Sequence, residues 1–169
     1  MRDRLILLPG WGLGVSPLEP LAAALRGLDE HLRVEIEPLP VLASTTLQDW
    51  LDELDATLPD NVWLGGWSLG AMLATELAAR RGDRCCGLVT LASNPSFVSR
   101  DDWPSGMPAS TFEPFLSGFR EAPNTTLTLL SVVQPGLGRA SCIGQPAVEW
   151  RTQSATGHPA CRPGVTGQA

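Results

Sequence analysis

The chain has 169 residues, of which 43% are hydrophobic and 18% charged, a composition that fits one globular domain. All 12 basic residues are arginines, and 18 acidic residues outnumber them, which gives a formal charge of −6. This balance argues against nucleic-acid binding, which needs clustered positive charge. No apolar run approaches the roughly 20 residues of a membrane span. The first apolar run stops at Pro9, which is too early for a signal peptide, so we expect a cytoplasmic protein.

The composition changes towards the end of the chain. Residues 135–169 contain ten Gly or Pro, three Arg and a single acidic residue. Few aliphatic side chains are available there to offset the loss of backbone entropy on folding. We therefore expect residues 131–169 to form an atypical, poorly ordered tail. One hypothesis for the change is a shift of reading frame near residues 129–135.

The first ninety residues predict strands that alternate with helices. The apolar run Leu5–Leu8, which ends at Pro9, is typical of a buried parallel strand. Ser16, Pro17 and Glu19 together predict a helix with Ser16 as its N-cap. The other predicted elements are a helix at 47–54 capped by Thr46 and Asp49, a helix at 69–81 closed by Gly82, and strands at 32–37, 62–64 and 87–92.

Such alternation predicts a parallel sheet covered by helices on both faces, with strand 32–37 near an edge. Active sites in such sheets lie at the carboxyl ends of the strands. This rule directs attention to the loops that follow residues 8, 64 and 92.

The loop after residue 64 contains the strongest functional motif. Gly66-Trp67-Ser68-Leu69-Gly70 matches G-x-S-x-G, in which a nucleophilic serine occupies a sharp turn between a strand and a helix. The two glycines let the strand and the helix approach closely. The alternative is a glycine-rich helix start in which Ser68 is only an N-cap. The apolar strand before the motif and the small-residue helix after it favour Ser68 as the nucleophile.

A serine that transfers acyl groups also needs backbone N–H donors for the oxyanion. The pattern predicts the amide of Leu69, which follows the nucleophile, as one donor. The loop Pro9-Gly10-Trp11-Gly12 supplies a second candidate, the amide of Trp11, whose indole would also form a wall of the acyl pocket. The alternative for Trp11 is a plain role in the core.

Three segments in this order resemble a known family: Leu7-Leu8-Pro9-Gly10-Trp11-Gly12, Gly66-Trp67-Ser68-Leu69-Gly70, and Leu91-Ala92-Ser93-Asn94-Pro95-Ser96-Phe97 followed by Asp101-Asp102-Trp103-Pro104. The chain resembles the α/β-hydrolase esterases of biotin synthesis, the pimeloyl-[acyl-carrier protein] methyl ester esterases, over about residues 4–130. The resemblance implies Ser68 as nucleophile, with Trp11 and Leu69 as oxyanion and substrate contacts. Pro9 departs from the histidine that many α/β-hydrolases carry there.

The resemblance implies a three-layer α/β-hydrolase fold with a mostly parallel sheet that is incomplete at its C-terminal side. Residues 1–96 would form the partial core and residues 97–130 the start of a helical cap. Phe112, Phe115 and Phe119 recur at helical spacing there, and we expect them to pack within the cap.

The family also uses an aspartate and a histidine, in the chain order Ser, Asp or Glu, His. Of the two histidines, His31 precedes Ser68 and is expected on the surface. His158 follows Ser68 and is the candidate base, although Glu149 is the only acid near it in the sequence. A base has to be held within about 3 Å of the serine hydroxyl, and a Gly/Pro-rich tail is poorly suited to hold one.

The sequence predicts no metal, because the cysteines lack metal-ligand spacing, and it predicts no organic cofactor. Cys85 and Cys86 are expected to be buried reduced thiols. The expected partner is an acyl ester, carried on acyl-carrier protein, and the folded chain is expected to be a monomer. Alternatives are a catalytically silent hydrolase fragment and a hydrolase of another small ester. A dinucleotide-binding site at Gly10–Gly14 is disfavoured because its third glycine comes one residue too early.

Overall fold

The computed structural model describes residues 3–43, 46–122 and 125. The helices and strands in these residues are, in chain order, β1 (Arg4–Leu8), α1 (Glu19–Leu28), β2 (Arg33–Ile36), α2 (Leu47–Thr57), β3 (Val62–Trp67), α3 (Leu69–Arg81), β4 (Cys85–Leu91) and α4 (Ala109–Glu121). Short 3-10 turns, Ser16–Leu18 and Gly82–Arg84, precede α1 and β4. The tail 131–169 lies outside the described residues, so its expected order stays a prediction.

The described strands form a parallel sheet in the order β2-β1-β3-β4. Strand β2 lies at one edge, as its alternating pattern predicted. Successive residues of β1 point to opposite faces of this sheet. Ile6 and Leu8 pack with α2 and α3 in the larger apolar core, whereas Leu5 and Leu7 pack with α1 in the smaller one. The predicted three-layer α/β architecture is therefore confirmed.

The start of α1 corrects one prediction. Ser16 is not the N-cap of this helix, because residues 16–18 form a separate 3-10 turn and α1 begins at Glu19 with no side-chain cap. The physical reason is the second proline, Pro20, which lacks an N–H and fits the first turn of an α-helix. The cap of α2 is as predicted, since the Thr46 hydroxyl accepts a hydrogen bond from the Asp49 amide.

The entry to β4 corrects another prediction. Cys85 is buried, but Cys86 is exposed, so the expectation of two buried thiols is wrong for Cys86. Val62 pairs with Cys85 and the next residue, Trp63, pairs with Gly87. Cys86 is therefore an extra residue in the strand, a bulge of the kind that leaves one residue outside the regular pairing.

Candidate active site

Ser68 lies in a tight turn between β3 and α3. It joins β3 directly to α3 and is half-buried, with φ 53° and ψ −120°, backbone angles that residues other than glycine rarely adopt. Its own amide donates to the carbonyl of Leu91 at the end of β4, with an N···O distance of 2.9 Å. Its carbonyl accepts from the amides of Ala71 and Met72 in the first turn of α3. The backbone of Ser68 is thus hydrogen-bonded both to β4 and to the first turn of α3.

Two glycines make this turn sterically feasible. A Cβ atom on Gly66 would lie 2.6 Å from the amide nitrogen of Ala71, so only glycine lets β3 and α3 meet so closely. A Cβ on Gly70 would collide with the carbonyl oxygens of Leu8 and Pro9, where β1 ends. The motif glycines therefore bring the start of α3 against the carboxyl ends of two neighbouring strands.

The loop after β1 lies beside the serine. A Cβ placed on Gly10 would be 3.6 Å from the Cβ of Ser68 and 3.6 Å from the carbonyl oxygen of Trp67. Gly12 has a φ of 75°, and the chain folds back there. The loop that was predicted to supply the second oxyanion donor is therefore adjacent to the candidate nucleophile.

The candidate oxyanion donors are the backbone amides of Leu69 and Trp11. Leu69 is the first residue of α3, and the first amides of a helix have no partner within the helix. Within the described residues, no acceptor is bonded to the backbone amide of Leu69 or of Trp11. The amide of Leu69 lies at the N-terminus of α3, where the helix dipole favours a negatively charged oxygen.

Trp11 also links this loop to helix α4. Its ring makes edge-on contacts with Phe119 at 4.8 Å and with Phe115 at 6.3 Å between ring centres. Phe112 instead contacts Phe97 and Phe115. The contacts of Phe112 thus lie within residues 97–122, as expected, whereas Phe115 and Phe119 also contact Trp11 in the loop after β1.

The predicted acid–base partners are not brought to this site by the described residues. His31 is exposed in the loop before β2, and hence at the amino ends of the strands, away from Ser68. His158 and Glu149 lie outside the described residues, so the role of His158 stays a prediction. Within the described part of the chain, no three potential metal ligands cluster together, and none of its helices has the length and apolar composition of a membrane crossing.

Two features of the site were not predicted from the sequence. One is the hydrogen bond from Ser68 to Leu91, which depends on how β3 and β4 pair. The other is Ala92, which has a φ of 46° immediately after that carbonyl. The segment Leu91-Ala92-Ser93 gave no local signal for either feature, because alanine is not a residue that predicts a positive φ.

Comparisons with known proteins show which proteins this chain is similar to. A pimeloyl-[acyl-carrier protein] methyl ester esterase of Aromatoleum aromaticum is 36% identical over 143 residues, which cover 79% of this chain and 56% of that protein. A biotin biosynthesis bifunctional protein BioHC of Cellvibrio japonicus is 36% identical over 136 residues, covering 77% of this chain and 26% of that protein. A similar esterase of Shewanella woodyi is 34% identical and is covered over 52% of its length.

The chain thus spans about half the length, or less, of these curated relatives. Among solved structures, a hydrolase from Oleispira antarctica superposes with a TM-score of 0.64 at 16% identity, over 80% of this chain and 55% of that one, a likeness of fold. The model of the alpha/beta hydrolase family matches residues 5–166. The chain therefore belongs to the alpha/beta hydrolase family.

Proposed function

We propose that this chain is a serine ester hydrolase that cleaves the methyl ester of a pimeloyl chain carried on acyl-carrier protein, and that it works in the cytoplasm. The single observation that carries the proposal is the backbone of Ser68, which holds a half-buried serine at a positive φ between β3 and α3. Such a turn presents a hydroxyl above the sheet. The names of the relatives support the choice of substrate.

In the proposed reaction the Ser68 oxygen attacks the ester carbonyl, and the carbonyl oxygen becomes an anion. The amides of Leu69 and Trp11 would donate hydrogen bonds to this anion, and removal of one such donor costs about 3–4 kcal/mol of transition-state stabilisation in a comparable site. The tetrahedral intermediate then expels methanol and leaves the acyl group on Ser68. Water releases the acid and restores the serine.

The acyl chain would lie against the aromatic side chains beside this loop. The contacts of Trp11 with Phe115 and Phe119 support an acyl pocket beside this loop. An apolar wall of this kind suits the methylene groups of a pimeloyl chain, because it removes them from water.

A base is needed to accept the proton of Ser68. We propose His158 for this role, because the family order places the histidine after the serine.

A second candidate function, binding of the acyl ester without turnover, follows from one observation. The only histidine in the described residues, His31, lies at the opposite ends of the strands. A chain without a base would bind the acyl ester with little turnover.

A fluorophosphonate probe tests the proposal on the full 169-residue chain. We expect Ser68 to be labelled in the wild type and in Ser16→Ala, a matched control at an exposed serine, and not in Ser68→Ala. We expect His158→Ala to lose the labelling as well. The rate of hydrolysis of the pimeloyl-carrier methyl ester should fall in the same two variants and stay unchanged in Ser16→Ala. A wild type that binds the ester but is neither labelled nor active would favour the silent binding function instead.

A further inference from the structure

The indole ring of Trp11 packs against two phenylalanines of helix α4. Its centre lies 4.8 Å from that of Phe119 and 6.3 Å from that of Phe115, and both contacts are edge-on, an arrangement that aromatic pairs prefer. The indole nitrogen is buried, and within the described residues it has no hydrogen-bond partner. Packing, rather than a hydrogen bond, therefore orients the Trp11 side chain.

The backbone around Trp11 is conformationally permissive. Trp11 lies between two glycines, Gly10 and Gly12, and Gly12 has a φ of 75°. Glycine has access to more backbone conformations than other residues. The turn is closed by a long hydrogen bond, with 3.5 Å between the Leu13 amide nitrogen and the Gly10 carbonyl oxygen, and no acceptor in the described residues is bonded to the Trp11 amide. The contacts of the Trp11 side chain are therefore needed to select one position for its amide.

Phe119 is the residue of α4 best placed to make this selection. It is 8% exposed, the lowest exposure in α4, and its ring is the nearer of the two to Trp11. The last turn of the helix around it is hydrogen-bonded, with 2.9 Å between the Ala122 amide nitrogen and the Gly118 carbonyl oxygen. Phe119 is thus a buried side chain on a hydrogen-bonded turn, and it can fix the ring that it contacts.

We propose that Phe119 is a positioning residue for the oxyanion site, which acts through the indole of Trp11 to hold the Trp11 amide beside Ser68. This inference rests on the proposed ester hydrolysis and adds a residue to the same site. The oxyanion forms only as the reaction approaches its transition state, so a displaced amide lowers kcat and leaves KM nearly unchanged. A residue that only bound the acyl chain would change KM instead.

Steady-state hydrolysis of the pimeloyl-carrier methyl ester by the full chain tests this role, with Phe112→Leu as the matched control for Phe119→Leu. Both residues belong to α4, but the ring contacts of Phe112 in the described residues are with Phe97 and Phe115. We expect Phe119→Leu to lower kcat by about 10–100-fold and to keep KM within about twofold. Phe112→Leu should keep both constants within about twofold. An unchanged kcat in Phe119→Leu, an equal fall of kcat in both variants, or a change confined to KM would overturn the proposal.

Trp11→Leu tests the route through the indole even if Phe119→Leu fails to fold. This variant keeps the backbone amide and removes the ring. We expect it to lower kcat at least as much as Phe119→Leu does. The double variant should be no slower than Trp11→Leu, because two residues that act through one contact are not additive. An unchanged kcat in Trp11→Leu, or losses that multiply in the double variant, would overturn the proposal.

Backbone NMR relaxation separates this inference from the proposed function, because it needs no turnover. We expect the order parameter of the Trp11 amide to be about 0.85 in the wild type and in Phe112→Leu, and below about 0.6 in Phe119→Leu. If the wild type does not hydrolyse the ester, the proposed function fails, and the order parameter alone decides the role of Phe119. An order parameter that is the same in Phe119→Leu as in the wild type would overturn the proposal.

Discussion

The replacement of Ser68 by glycine should stabilise the protein. Ser68 has φ 53° and ψ −120°, and Gly82, which closes the same helix, has φ 53° and ψ −122°. A residue other than glycine held in such a sparsely populated region costs about 1–3 kcal/mol. Glycine costs about 0.5–1 kcal/mol through the greater freedom of the unfolded chain. The difference predicts that Ser68→Gly unfolds with a free energy about 0.5–2 kcal/mol higher than Ser68→Ala.

Gly82 provides a matched control for the backbone contribution. A Cβ at Gly82 would meet no atom within 4 Å, so Gly82→Ala changes the backbone preference and no packing. We expect Gly82→Ala to lower the free energy of unfolding by about 0.5–2 kcal/mol, with the opposite sign to Ser68→Gly.

Urea unfolding followed by far-UV circular dichroism and tryptophan fluorescence measures both effects. The slope of the transition should be the same in all variants, since each changes stability and not the surface exposed on unfolding. If Ser68→Gly is no more stable than Ser68→Ala while Gly82→Ala loses stability, the Ser68 turn carries no strain and the reasoning is refuted.

Three further changes are predicted to alter stability or the candidate site. Arg81, whose side chain is fully buried, donates to the Asp55 carboxylate and to the carbonyls of Asp55, Leu58 and Pro59. Arg81→Met should cost about 3–5 kcal/mol in urea unfolding, against under about 1 kcal/mol for the partly exposed Arg80→Met; equal losses would contradict this. The hydrogen bond from Arg81 lowers the pKa of Asp55 below its ordinary value of 3.8. The charged carboxylate therefore stabilises the fold above pH 3.8, and this stabilisation is lost as the pH falls through the lowered pKa. The loss of unfolding free energy in Asp55→Asn should be largest at neutral pH and smaller in acid. A loss that does not change with pH would show that charge is not the cause. Ala92→Val should lower the free energy of unfolding and speed amide hydrogen exchange at Ser68, because a β-branched residue tolerates the positive φ of Ala92 poorly. Ala92→Gly should leave the stability and the exchange rate unchanged. An unchanged exchange rate in Ala92→Val would show that Ala92 does not support the turn at Ser68.

Local signals in the sequence were sufficient to predict most of the fold. The apolar run before Pro9 predicted β1, and the span 69–81 with Gly82 predicted α3 to the residue. Each of these signals lies within the element that it predicts. The start of α1 was predicted wrongly because Ser16-Pro17 and Pro20 offer two competing helix starts, and the sequence pattern does not rank them.

The turn at Ser68 was also predictable from local signals, whereas its contact with a neighbouring strand was not. The turn at Ser68 depends on Gly66 and Gly70, which lie two residues away on either side. The bond from Ser68 to Leu91 depends instead on the pairing of β3 with β4, which includes a bulge at Cys86. A contact that is set by strand register has no signature in the nearby sequence.

The two parts of the proposed chemistry have different structural origins, and this separates their tests. The proposed oxyanion donors, at Leu69 and Trp11, are backbone amides in the turns at the ends of β3 and β1, so their placement needs no distant side chain. The proton acceptor is a side chain that has to come from elsewhere in the chain. Donors and binding alone sustain about 10³–10⁴-fold acceleration over water in a comparable serine hydrolase that lacks its catalytic side chains. Slow ester hydrolysis that survives in Ser68→Ala would therefore report the donors, whereas fluorophosphonate labelling of Ser68 reports the base.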